Sequence, residues 1–311
     1  MTRHNNEFGQ SHPVFTACSP AAKSRGDAIF PEARSTEPDG MAVEIIIPVY
    51  NQIDYTRQCL ESLYRNTPVA ARVTVIDNGS TDETGTYLSS LRGVRVIRNE
   101  QNRGCAAAWN LGVQSSAGDW ILLLNNDVVL TPRWLEGLLN AAVENGLDIV
   151  SPALREGPLN YELEEYAQEF VDTTGKATRL GAAHGVCFLV RRRVFAAVGL
   201  FDENFRFGQF EDADFFQRAR RAGFALGATG RSFVHHFGSV TQDYVRQQMP
   251  LEAYEDWNRD YYRSKWSQTW GQRCLSRWKM KAMVAWWRTW EVQRFGHSLA
   301  ERWRRGGLTY E

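Results

Sequence analysis

The sequence predicts an α/β fold, a mostly parallel sheet with helices on both faces, on three observations. β-Branched runs at Val43–Ile47, Arg72–Asp77 and Val94–Ile97 recur at intervals that a helix can fill. Residues at helical spacing lie between them, giving a βαβαβ alternation. Polar clusters follow the apolar runs, at what would be the carboxyl edge of the sheet, where ligands usually sit. With 311 residues, 43% of them apolar, the chain can bury a sizeable core.

Taken in order, residues 1–41 mix Pro13, Pro20, Pro31 and Pro38 with Ser, Gly and charges, without period, and read as a mobile leader. Tyr55, Cys59, Leu60, Leu63 and Tyr64 are spaced for a helix after the first strand. Ser80-Thr81-Asp82-Glu83 reads as a capping box, and Thr131-Pro132 as an N-cap followed by proline at the first helical position. Asp119–Leu124 and Asp148–Pro152 are expected as strands and Trp134–Val143 as a helix. Residues 155–182 are acidic and irregular, which suggests a long binding loop. Val186–Val190 restores a strand, Glu211–Arg221 reads as a helix stopped by Gly223, and Phe233-Val234 as a short extended piece. From Leu251 the chain looks helical and aromatic. The expected organisation is therefore the leader 1–41, a main domain 42–245 and a helical, basic, Trp-rich extension 246–311.

Lys plus Arg and Asp plus Glu number 36 each, so no net charge advertises a nucleic-acid partner. Residues 271–311 carry nine Lys/Arg against three Asp/Glu, a basic surplus of six. Five scattered cysteines, Cys18, Cys59, Cys105, Cys187 and Cys274, suit a reducing compartment. No secretion signal or membrane span is visible, and the longest aliphatic patch is Ile121–Leu124. A cytoplasmic location is expected.

Four polar clusters carry the chemistry: Pro48-Val49-Tyr50-Asn51, Asp77-Asn78-Gly79-Ser80, Asn99–Gly104 and Asn125-Asn126-Asp127. Any one alone is ordinary turn material, but four on one sheet edge make a site. Asp127, emerging after a buried strand, is either a helix cap or a hard oxygen ligand for Mg²⁺ or Mn²⁺ shared with phosphate. Glu211-Asp212-Ala213-Asp214 opens a helix that ends in Arg218, Arg220 and Arg221, as the dipole prefers. The flanking Phe207, Phe210, Phe215 and Phe216 would also desolvate these carboxylates and make one a better base. His235-His236 offers an imidazole as a structural group or a further ligand. Neither G-x-x-x-x-G-K-S/T nor, after the first strand, G-x-G-x-x-G is present.

From Val43 to Thr241 the chain resembles the family 2 inverting glycosyltransferases of GT-A fold, especially their bacterial rhamnosyltransferase-like branch. The marks are Ile-Ile-Ile-Pro-Val-Tyr-Asn at 45–51, Val-Ile-Asp-Asn-Gly-Ser-Thr-Asp at 75–82, and Asn-Arg-Gly-Cys-Ala-Ala-Ala-Trp-Asn-Leu-Gly at 102–112. Leu-Leu-Asn-Asn-Asp at 123–127, Glu-Asp-Ala-Asp-Phe at 211–215 and Val-His-His-Phe-Gly-Ser at 234–239 complete the set. The resemblance implies transfer from a nucleotide-sugar donor to a glycan or lipid-linked acceptor. Pro48, Val49, Tyr50, Asn51, Asp77, Asn102, Arg103, Gly104 and Asn126 would then hold the nucleotide, with Asp77 accepting from the base. Asp127 matches the last position of the family's D-x-D motif, whose first position is Asn125 here; His235 matches a metal-holding histidine, with His236 as the register alternative. Asp212 matches the catalytic base, and His184, Gly185 and Glu211 fall near the sugar and acceptor. A nucleotidyltransferase, or a catalytically silent nucleotide- or sugar-binding module, are the rival readings.

In the extension, Met280, Met283, Val284, Trp287 and Trp290 follow helical spacing and suit packing on the domain. Lys279, Lys281, Arg288 and Arg294 among tryptophans also suit peripheral contact with an anionic membrane. Trp109 reads as helix packing rather than a platform for sugar.

Overall fold

The computed structural model describes residues 42–67, 71–248, 254–267, 269–304 and 306–310. The leader expected at 1–41 lies outside the described residues. The first half alternates as read: β1 (Val43–Val49), α1 (Ile53–Asn66), β2 (Arg72–Asp77), α2 (Thr84–Ser90), β3 (Arg95–Arg98), α3 (Cys105–Gln114), β4 (Trp120–Leu124), β5 (Val128–Leu130), α4 (Trp134–Glu144) and β6 (Ile149–Glu156). The second half holds α5 (Leu163–Thr174), β7 (Thr178–Leu180), β8 (Cys187–Arg191), α6 (Arg192–Val198), α7 (Glu211–Arg221) and β9 (Leu226–His236). It closes with α8 (Val240–Gln248), α9 (Tyr254–Lys265), α10 (Trp270–Phe295), β10 (Ala300–Arg304) and β11 (Gly307–Tyr310).

One sheet runs β11-β10-β6-β8-β4-β1-β2-β3, with β9 also pairing β6 and receiving β5 and β7. The pairs β1–β2, β1–β4, β2–β3, β6–β9 and β6–β10 are parallel, whereas β8 runs antiparallel between β4 and β6. Side chains alternate across a strand, so β1 sends Ile45 and Ile47 to one face and Ile46 to the other. Ile45 and Ile47 meet Leu60 and Leu63 of α1 and Leu135 and Leu138 of α4; Ile46 meets Ala108 of α3 and, across that layer, Phe215 of α7. Covering both faces explains the continuous apolar runs. A Cβ at Gly112 would overlap Ile46, so this glycine lets α3 sit close on the sheet with its N-terminus at the carboxyl edge. Truncating Ile46 to alanine would cost about 2–5 kcal/mol.

Several local expectations are corrected. Residues 155–182 contain regular structure: β6 runs to Glu156, and α5 and β7 follow. The amphipathic spacing of Leu163, Tyr166, Ala167 and Phe170, all packed in one cluster with Phe233, was the available signal. Phe233-Val234 belongs to the eleven-residue β9. Thr131 is not the cap of α4, since its hydroxyl donates to Phe233 O and the helix begins at Trp134. Ser80–Glu83 forms no capping box: the Ser80 hydroxyl accepts from Asn51 N, and Asp82 accepts from Thr84 N.

The extension 246–311 contains more than helices. β10 pairs with β6 and β11 with β10, so its end joins the main sheet. Of the apolar residues expected to pack, Trp287 is buried, while Met280, Met283 and Trp290 are exposed. Glu291 turns inward beside Trp287, where Arg179 donates to both its carboxylate oxygens at 2.7 Å. A buried, bidentate pair of this kind fixes geometry, and losing one partner is costly.

Candidate active site

The carboxyl ends of β1, β2 and β4 open into a cleft of about 420 Å³ that receives Pro48, Tyr50, Asn126, Asp127, Gly185 and Asp212. The acids expected to serve the leaving diphosphate and the attacking hydroxyl therefore share one cavity, although 85 positions separate them in sequence. Val49, Asn102, Glu211 and His236 also line it.

Asp127 is buried just beyond β4, where its Oδ2 accepts from Val240 N at 3.4 Å and its Oδ1 lies 3.4 Å from His236 Nε2. On its other side His236 Nδ1 is 3.4 Å from Glu156. Burial, the largest effect, raises the Asp127 carboxyl, but the charge and hydrogen bond of His236 together with backbone N–H groups, Val240 N among them, more than offset it and the pKa falls below the usual value. Burial alone would lower His236; Asp127 and Glu156 push it up to about 9.

His235, the expected ligand, points elsewhere. Successive residues of a strand face opposite sides, and Val128 pairs with His236 while Val129 pairs with His235. His235 Nδ1 lies 3.0 Å from the Tyr161 hydroxyl, and burial, then the charge of His236, hold its pKa down to about 3. The carboxylate–imidazole pair at the cleft is thus Asp127 with His236. A hard carboxylate oxygen beside a borderline imidazole nitrogen, free to ligate once His236 gives up its proton, fits a Mn²⁺ or Mg²⁺ that takes its remaining ligands from phosphate and water. No group of three or more His, Cys, Asp or Glu suited to a metal occurs among the described residues, so the protein offers no complete cage of its own.

Glu211 and Asp212 begin α7, where the helix dipole favours acids. Burial nevertheless raises Asp212 above its ordinary value, against backbone N–H groups of Ala213 and Gly185 that stabilise the anion. Burial, then the charge of Asp212, raises Glu211 likewise. A Cβ at Gly185 would overlap the Asp212 carboxylate, so only glycine leaves room for this placement. Arg218 and Lys265 serve Asp214, not Asp212.

The chain enters α7 through a contorted segment. Phe207, Gln209 and Phe210 have φ of 55°, 77° and 74°, the left-handed region, which costs about 1–3 kcal/mol each for residues other than glycine. All three line the cleft with Gly208. Phe207 O accepts from Cys105 N, linking the segment to the first residue of α3.

Other expected residues divide. Asn51 does not line the cleft: its Oδ1 accepts from Thr81 N and Asp82 N, and its Nδ2 donates to Tyr244 Oη. Asp77 is also off the wall, because Ser80 N and Arg98 already donate to its two oxygens. Asn78, part of the same cluster but not among the expected nucleotide contacts, lines the cleft in its place, joined through Nδ2 to Asn102 Oδ1 at 2.9 Å and to Gly104 O at 3.1 Å. Arg103 pairs with Glu203 at 3.6 Å outside the cleft, and Gly104 caps α3. His184 is not at the cleft either; its Nε2 is 2.8 Å from Pro152 O, and burial holds its pKa down to about 4. Trp109 packs edge-on against Phe188, yet it also lines the cleft, so the expected packing role does not keep it off the wall. Cys105, Thr241, Gln242 and Tyr254 line the cleft unforeseen, and those beyond residue 240 carry no sequence signal.

A mostly parallel sheet whose carboxyl edge holds separated acids in one cleft has the GT-A architecture. Solved structures share the fold: GalNAc-T7 with UDP, GalNAc and Mn²⁺ (TM-score 0.52, 17% identity) and TarS of S. aureus (TM-score 0.50, 18% identity). The matches cover 70% and 66% of this chain, but it spans only 49% and 38% of those proteins. The model of glycosyl transferase family 2 matches residues 44–199, half of the chain, which belongs to that family. Among curated relatives, an uncharacterised glycosyltransferase of Rickettsia prowazekii is 29% identical over 229 residues, 69% of each chain. Glycosyltransferase GlyG of Streptococcus pneumoniae is 27% identical over 112 residues, 35% of this chain and 37% of its own.

Proposed function

We propose that this glycosyltransferase works with inversion, passing a sugar from a nucleotide donor to a hydroxyl of a glycan or lipid-linked acceptor. The observation that carries the reading is that Asp127 and Asp212 line one cleft. Asp212, raised by burial, is a stronger base than an ordinary carboxylate and takes the proton of the attacking hydroxyl. Attack on the face opposite the leaving group needs no covalent intermediate and inverts the anomeric centre. Pro48, Val49, Tyr50, Asn78, Asn102 and Asn126 flank the nucleotide, with Asp77 and Asn51 bracing these loops. Asp127 would hold a Mg²⁺ or Mn²⁺, with His236 as a second ligand once its proton is displaced. Bound there, the ion neutralises charge that grows on the leaving group.

A panel of dTDP-rhamnose, UDP-glucose, UDP-galactose and UDP-N-acetylglucosamine, with and without Mn²⁺, tests this. One donor should raise the melting temperature and be slowly hydrolysed, and NMR of a transfer product should show an inverted anomeric centre. A retained centre overturns the mechanism. A panel member turned over at full rate in EDTA overturns the metal reading.

We also infer that α10 meets an anionic lipid surface. Leu275, Trp278, Trp286 and Trp290 are exposed on one side of the helix, away from buried Trp287 and Glu291. The helix carries six Lys/Arg, and its single acid, Glu291, is held by Arg179. No helix among the described residues is long and apolar enough to cross a membrane, so the contact is peripheral. Vesicles of phosphatidylglycerol and phosphatidylcholine should carry the full chain in flotation, and Trp278→Ser/Trp286→Ser should release it. Equal, negligible flotation of both refutes the contact, as does equal binding to pure phosphatidylcholine.

A further inference from the structure

Asn258 lies in α9, beyond the family-matched span, and is fully buried. Its Oδ1 accepts from Arg206 N at 2.8 Å. Its Nδ2 donates to Arg206 O at 2.8 Å, Gly208 O at 2.7 Å and Gln209 O at 3.3 Å. One amide thus serves four backbone groups of the segment that carries the left-handed residues Phe207, Gln209 and Phe210. A path that the residues themselves disfavour persists only where its surroundings over-determine it.

The segment has two mechanical outputs. Phe207 O holds Cys105 N on the nucleotide side, and Phe210 O accepts from Asp214 N in the first turn of the helix that presents Asp212. Behind Asn258, α9 has its own anchors: Tyr261 Oη donates to Asp202 at 2.8 Å, and Trp266 Nε1, in the turn just after the helix, to Asp214 at 3.1 Å. The helix is therefore a brace fixed at other points, and Asn258 is where it grips the strained wall.

We propose that Asn258 is a positioning residue for transfer, holding residues 206–210 in their left-handed path and so fixing where the Asp212 carboxylate sits. The proposal rests on Asp212 being the base. The residue type follows from the partners: Arg206 O and Gly208 O take the two protons of an N–H₂ group, Gln209 O at 3.3 Å shares one of them, and Arg206 N needs an acceptor on the same short side chain. An aspartate would set a carboxylate against three carbonyl oxygens, and an alanine would leave buried groups unpaired.

The test uses the full chain with Asn258→Ala and Asn258→Asp. Panel members that the wild type turns over report rate, calorimetry with UDP and dTDP plus Mn²⁺ reports nucleotide binding, and hydrogen exchange reports the amides of Cys105 and Arg206. Turnover should fall about 10- to 100-fold, nucleotide affinity should stay within about threefold, and both amides should exchange faster. Tyr261→Phe, which weakens another anchor of the same helix, should leave turnover unchanged. Asn258→Asp keeps volume and acceptor, so it remains testable if the alanine variant does not fold. Unchanged turnover per folded molecule despite faster exchange overturns the proposal. So does a raised KM with unchanged kcat, which would make the segment a binding wall only. If Asp212→Asn itself retains turnover, the base reading fails, whatever Asn258 does.

Discussion

Asp127 is buried and Asp212 half-buried on the wall of one cleft, and their proton affinities move in opposite directions. Asp127 has His236 at 3.4 Å, and the charge and hydrogen bond of that imidazole, joined by backbone N–H groups, together outweigh desolvation. Asp212 has only backbone N–H groups and an acidic neighbour, so burial wins. The difference shows that charge partners, not depth, separate an acid suited to hold a cation from one suited to take a proton.

Removing the proton acceptor is the most forceful way to break this comparison. Asp212→Asn should slow transfer by roughly 10²-fold or more while nucleotide affinity stays near normal, measured by turnover and by calorimetry with UDP or dTDP. At the other acid, Asp127→Ala should weaken nucleoside diphosphate binding in Mn²⁺ by at least the roughly 10- to 100-fold that even outer-shell changes cause. Equal affinities in Mn²⁺ and EDTA for both wild type and variant would erase the distinction between the acids. A subtler change sharpens it: Gly185→Ala crowds the Asp212 carboxylate without touching Asp127. Turnover should fall by about tenfold or more, and the Mn²⁺ dependence of nucleotide binding should be preserved.

How much of this was legible differs between the halves of the chain. The parallel core followed from β-branched runs and turn clusters, because burial on both faces leaves a local trace in composition. That Asp127, Glu211 and Asp212 line the cleft is legible because each opens or closes an element with a recognisable pattern. Asp77 and Asn78 were confused because adjacent residues at a strand end differ only in which way they face, and that depends on register. The same single-residue ambiguity leaves His235 and His236 as register alternatives until strand pairing shows that His236 is the one at the cleft. Tyr254 and Asn258 were invisible, since their roles arise where a late helix crosses the cleft wall, a contact with no sequence period. β10 and β11 were hidden by their position after a long aromatic helix, within a basic stretch that reads as surface.

The smallest expected effect concerns stability. Burial holds the Asp212 pKa above the ordinary value of 3.8, so between that value and its folded one the native state binds more protons than the unfolded chain. Its contribution is fully present below 3.8 and is lost as pH rises through the window above it, the reverse of a salt-bridged aspartate. Asn at 212 has no proton to lose, so the melting temperatures of wild type and Asp212→Asn should diverge as pH rises. The variant should be the more stable near pH 7, by roughly 2–4 °C for each kcal/mol involved. Glu211 adds to the same trend, because the variant also removes the negative charge that raises it. A difference that stays flat from pH 4 to 8 would mean that burial does not raise Asp212, and the contrast with Asp127 would collapse to one of geometry alone. A growing difference, together with the lost turnover, would show that the base is kept at the expense of stability.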